Sequence, residues 1–276
     1  MSSKKGKRIQ PRGAALIMEK LFKSGFYKTM KFAESKSESI RSALKERQVE
    51  KRKEYSSLGV VCKFQAFNVY ETNWGGLNEY LDDLGILPMV ARFDLTELDE
   101  DICETIKKYQ DPVKKYIRLT PNSNGRIQTE EESYDFYDDE QLIRFWLHHH
   151  RILDEHVPQY EKYKMQMLRS RLLKSKRTLS CNYGSVSLLD SQPSYNVELV
   201  YKYEGRHFLV EHAKVDMAQL DTFITLGFLS KKEVDQFRKL IDINLRYFVM
   251  DFETEKRTMD FFHRKMQQSS ENRMAM

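Results

Sequence analysis

After Gly227 the sequence contains neither glycine nor proline. Within that run Val234, Phe237, Ile241, Leu245, Phe248, Phe252, Met259, Phe262 and Met266 recur at mixed spacings of three and four, the repeat that lines one face of a helix. Read as one helix, the stripe covers about nine turns and ~50 Å, longer than a small domain is wide. Part of it is then expected to meet another helix or another chain. Phe248, Phe252, Met259 and Phe262 are the expected anchors, because interface cores favour aromatics and Met.

The same economy of helix breakers extends to the whole chain, with 11 Gly and 6 Pro in 276 residues. With 40% hydrophobic and 32% charged residues, the chain can form a core and a strongly charged surface. The predicted fold is α+β and helix-dominated, with long amphipathic helices and a few short antiparallel strands or hairpins. No apolar stretch approaches the ~20 residues that span a bilayer, and MSSKKGKR leads into charged sequence rather than an apolar signal segment. Cys62, Cys103 and Cys181 are odd in number and far apart, which suits free thiols in a reducing compartment. The expected location is intracellular, in the cytoplasm or the nucleus.

Charge is segregated. Met1–Lys53 carries 16 Lys and Arg against 5 Asp and Glu, whereas Glu71–Glu140 carries 7 against 18. Arg151–Ser180 turns basic again, with 8 against 3. The first two segments attract each other, within a chain or between chains. Lys45, Arg47, Lys51, Arg52 and Lys53 are the expected contacts to an acidic surface: a partner's, or this chain's own.

Along the chain we expect a disordered basic tail (1–12), a basic helical arm (13–56), a mixed α/β region (57–128), and an acidic linker with a long helix kinked near Pro158 (129–180). A β-hairpin with C-terminal helices (181–268) and a disordered tail (269–276) complete the order. The arm's apolar stripe (Ile40, Ala43, Leu44, Val49) is too narrow for a core helix and suits one thin seam on a partner element. Val60–Ala66 alternates as a strand, and Met89–Leu95 as a second. Tyr116–Leu119 and Arg126–Gln128 flank turn residues as a hairpin. Ser180–Pro193 reads as a loop, and Val197–His212 as a hairpin turning at Glu204-Gly205. Ser230-Lys231-Lys232-Glu233 is a capping box.

No phosphate-loop, dinucleotide, nucleophile-elbow, zinc-protease or kinase motif occurs, and no catalytic, cofactor or metal residue is assigned. His148, His149 and His150 are consecutive, so they point about 100° apart; only His150 and Asp154 have the spacing for a shared helix-face metal. Lys162–Arg177 interleaves Tyr163 with basic residues, raw material for nucleic-acid binding, without a recognition motif. The leading expectation is a non-enzymatic adaptor or assembly subunit, cytoskeletal or in another large complex. It would bind proteins through coiled-coil-like helices and the basic arm, and could be oligomeric. RNA or DNA binding through the arm and helix 160–177 is the alternative, and a metal-dependent enzyme a third.

Overall fold

The computed structural model describes residues 10–127 and 133–275, with the side chains of Met266 and 269–275 outside that description. In chain order the elements are α1 (Ala14–Lys23), α2 (Phe26–Arg47), β1 (Arg52–Tyr55), β2 (Val60–Thr72), α3 (Trp74–Asp83), α4 (Leu87–Val90), β3 (Ala91–Arg92) and α5 (Glu100–Lys107). Then come β4 (Lys115–Pro121), α6 (Asp139–Leu168), α7 (Arg171–Lys176), β5 (Thr178–Cys181), β6 (Gly184–Asp190) and α8 (Val197–His212). The last are β7 (Lys214–Val215), α9 (Met217–Thr225), α10 (Lys231–Asp235), β8 (Arg238–Asp251) and α11 (Phe252–Ala275). The fold is a helix-dominated α+β fold with small antiparallel sheets. It divides into two compact units, Met1–Val60 with Lys114–Ser191, and Val61–Val113 with Gln192–Met276.

In the first unit α2 packs along α6. Tyr27, Met30, Ala33, Ile40 and Leu44 are buried, so this chain's own α6 covers the arm's seam at Ile40 and Leu44, whereas Val49, past the helix end, is 94% exposed. The helix stops at Arg47, and Arg52–Tyr55 is extended. Met18, Leu21, Met167, Leu173, Val186 and Leu188 share one core cluster with Ile117 of β4. Glu19 is buried among them on α1. Burial disfavours its charge, but the Lys23 ammonium at 2.9 Å and hydrogen bonds from Asn182 hold its carboxyl below the usual range. Helix α6 opens with a capping box between Asp138 and Gln141. It runs on as one helix through Pro158. Leu153 before the proline and Tyr160 and Tyr163 after it pack on the same core, which offsets the missing amide.

The sheet of this unit has the order β4-β6-β5, with Ile117 opposite Leu188 and Leu179 opposite Val186. Residues 182–183 form the turn of a β5–β6 hairpin where a loop was expected. The expected return strand for β4 was Arg126–Gln128; its described residues, Arg126 and Ile127, belong to no strand, and residue 128 lies outside the described range. The partner of β4 is β6 instead. Residues 1–9 of the expected basic tail and 129–132 of the expected linker also lie outside it.

In the second unit Leu77, Leu81, Leu87, Val90, Leu209, Leu220 and Val234 form the core. Val197–His212 is a helix, not a hairpin. Asn196 accepts from the Leu199 amide at its start, and Val200 and Leu209 are the residues buried. Gly205, with φ 89°, interrupts the helix, and the next residue, Arg206, pairs with Asp82 and Asp83 of α3. The capping box at Ser230 and Glu233 forms but opens only the five residues of α10.

The expected continuous C-terminal rod is two elements. Arg238–Asp251 is a strand beside β2, and the helix begins at Phe252. The Asn73 amide donates to the Phe237 carbonyl at 2.8 Å, and Phe64 meets Tyr247, so the two strands run antiparallel. Ile241, Ile243, Leu245 and Tyr247 alternate as well as they fit a helix, and β2 supplies the partner that decides. Asp251 ends the strand by accepting from the Thr254 amide and hydroxyl at 2.6 and 3.0 Å, an N-cap that starts α11. The helix then continues to Ala275, past the expected end at 268.

Candidate functional site

The expected anchors fall on both elements. Phe248 lies in β8, half-buried, its ring 6.1 Å from Phe67. Phe252 is half-buried at the first position of α11, and Lys63 of β2 fixes that first turn by pairing with Glu255 at 2.7 Å. Met259 and Phe262 are 48% and 47% exposed. On a helical wheel Phe252, Glu255, Met259 and Phe262 share one side. Phe261, Arg264, Lys265 and Gln268 lie on the opposite side, where with Thr222 and Thr225 of α9 they line a cleft of about 390 Å³. Lys265 pairs there with Asp221 at 2.8 Å. Helix α11 is therefore held to α9 by one side while the Met259–Phe262 side faces away. Phe261, 57% exposed, belongs to the α9 side and lies outside the three-four stripe.

The basic residues separate into two groups. Arg47 donates to the carbonyls of Tyr137 and Tyr134 at 2.7 and 2.5 Å and lies 3.7 Å from Asp139. Lys53 pairs with Asp139 at 2.8 Å, and the Tyr55 hydroxyl donates to the same carboxylate at 3.1 Å. Burial opposes the charge on Asp139, yet these donors keep its carboxyl below the ordinary range. Burial beside that charge pushes the Tyr55 phenol up to about 12, and the Asp139 hydrogen bond raises the Lys53 ammonium. The attraction between the basic arm and the acidic segment is thus realised, in part, inside one unit at the first turn of α6. Lys45 and Lys51 are exposed, and so is Arg52, which pairs with Glu54.

Because the Asp139 carboxyl is held low, its contribution to stability is complete above the ordinary value of 3.8 and fades as acid titrates it. Asp139→Asn is expected to cost ~1 kcal/mol at neutral pH, a modest figure because Lys53 is partly solvated. Urea unfolding of both proteins across the acid range should show the difference vanish as the carboxyl protonates. A difference that persists unchanged in acid would mean that the charge plays no part.

Aromatics near the other basic stretch are occupied. Tyr163 makes a T-shaped contact with Phe26, and Tyr160 lies 5.9 Å from Tyr27, both half-buried against the core of the first unit. Most imidazoles have separate aromatic partners: His149 meets Phe32, His150 stacks on Trp146 and His156 on Phe26, while His148 meets His149 at 5.2 Å and His150 lies 3.8 Å from Asp154. Among the described residues no group of three or more His, Cys, Asp or Glu is placed to hold a metal. No described helix is long and apolar enough to cross a membrane. All three cysteines are free and buried. A cleft of about 620 Å³ in the second unit is lined by Glu79, Asp83, Arg206, His207 and Glu211; its one arginine is already paired with Asp82 and Asp83.

Comparison with protein-family models, curated proteins and solved structures finds no match.

Proposed function

We propose that this chain is an adaptor or assembly subunit, not an enzyme, and that it docks other proteins on the outward side of α11. The observation that carries the reading is the pair Met259 and Phe262, half exposed on the side of a 24-residue helix that faces away from α9. Large apolar side chains grouped on one helix side are the anchors of helix-in-groove recognition. The exposed Lys45 and Lys51 supply steering towards acidic partners. Free, buried thiols support a reducing, intracellular setting.

The double variant Met259→Asp/Phe262→Asp tests this. Both side chains are already half in water, so circular dichroism and the unfolding midpoint should hold. Affinity purification with the wild-type chain should recover a discrete set of proteins, at least about tenfold depleted with the variant, the loss expected for two hot-spot residues. Equal recovery by both would sink the α11 reading. Salt-sensitive retardation of RNA or DNA, lost on Lys45→Ala/Lys51→Ala, would favour nucleic-acid binding instead.

A further inference from the structure

We propose that two copies of this chain pair through the outer edge of β8, antiparallel and centred on Asn244. Among the described residues strand β8 lies at the end of its sheet, with β2 on one side only. Every second residue of such a strand turns its N–H and C=O away from the sheet, an open template for another strand. Residues from Lys239 to Arg246 are all exposed. Leu240, Ile241, Ile243 and Leu245 are 47, 56, 50 and 62% exposed, an apolar load that lone soluble strands rarely leave in water. Proline is absent from β8, and within the exposed run Lys239 is the one lysine.

The occupant follows from the order of residues along the strand. Centred on Asn244, an antiparallel copy sets Ile243 opposite Leu245, Asp242 opposite Arg246, Ile241 opposite Tyr247 and Leu240 opposite Phe248. Apolar thus meets apolar, and two opposite-charge pairs flank the two-fold axis. Other registers lose this. Centring on residue 242 or 246 sets Asp242 or Arg246 against itself. Centring on 243 puts Leu240 across from Arg246, and on 245 puts Asp242 across from Phe248. A half-step shift sets Leu245 against Asp242 or Ile243 against Arg246. Among the described residues Asp242 and Arg246 make no ion pair; Asp242 accepts from the Ile243 amide, and the Arg246 guanidinium lies 4.6 Å from the Phe67 ring. The self-complementary register gives each charge a partner and, being isologous, closes after two copies. It does not depend on α11, which is a separate surface.

Sedimentation of the full chain should show a dimer. Asp242→Arg and Arg246→Asp each set like charges opposite one another twice, and each should raise the dimer dissociation constant at least about tenfold. The double swap Asp242→Arg/Arg246→Asp should restore it. Asn244→Cys, whose thiol is exposed while the native three are buried, should link two chains through a short bismaleimide, since opposed Cα atoms are roughly 5 Å apart. Met259→Asp/Phe262→Asp should leave the dimer intact. A monomer at ~100 µM, a dimer indifferent to both single reversals, a swap no better than either, no cross-link at Asn244→Cys, or loss of the dimer in the α11 variant would each overturn the proposal.

Discussion

Gly184→Ala is expected to cost about 4 kcal/mol, the sum of a strained backbone and a steric overlap. Gly184 has φ 145° and opens β6, directly opposite Pro121 of β4. A Cβ there would lie 2.2 Å from the Thr120 carbonyl oxygen and 2.8 Å from the Pro121 Cα. Both neighbours are backbone of a paired strand, so no side chain can swing aside; the β4–β6 register itself must open. The same crossing is tight from the other side, where a Cβ on Gly125 would lie 2.2 Å from the Tyr183 carbonyl oxygen. Gly59 provides the control, because its φ is 65° and nothing lies within 4 Å of an added Cβ. Gly59→Ala should cost only about 1 kcal/mol, backbone strain alone. Paired urea titrations separate the two terms. Equal midpoints for the two variants would refute the steric account.

What could be read from the sequence depended on whether a pattern needed a distant partner to be interpreted. The helical character of α1 and α2 was legible because their apolar spacing is local, though not the break between them at Gly25; Ser230 with Glu233 announced a helix start, but not that the helix ends after five residues. Sequence also showed that the basic arm and the acidic segment attract, but not that Arg47 and Lys53 converge on Asp139, a contact made across more than 80 residues. The hairpin at Thr178–Asp190 was missed because its alternation, Leu179 and Cys181 then Val186 and Leu188, is cut short by the turn. It becomes a sheet through β4, about 60 residues earlier. Val197–Tyr203 and Ile241–Tyr247 fit both periods, as short apolar runs do. A local cap at Asn196 resolved the first into helix, whereas β2 resolved the second into strand. Consequently Met259 and Phe262 of the docking surface were visible in sequence as helix residues. The open edge of β8 was not, because an edge exists only once the sheet order is known.

Asn78→Leu should cost about 3 kcal/mol, nearly all of it from carbonyls left without a donor. Asn78 is 1% exposed on α3. Its Nδ2 donates to the Val210 carbonyl at 2.9 Å and the Ala213 carbonyl at 2.7 Å, groups at the end of α8 that no later helical turn can satisfy. Leucine fills similar space and adds apolar contact with Leu77 and Leu81, so the loss reports the hydrogen bonds and not a cavity. Asn78→Asp should be worse near neutral pH, since a buried carboxylate would face two carbonyl oxygens. That burial raises the pKa of the new acid, so its penalty grows as pH rises and shrinks in mild acid, where the protonated carboxyl regains one donor. Unfolding the three proteins at both pH values gives the test. If Asn78→Leu lost under about 1 kcal/mol, or Asn78→Asp showed no recovery in acid, water would have to be satisfying those carbonyls, and the join between α3 and α8 would be looser than its geometry implies.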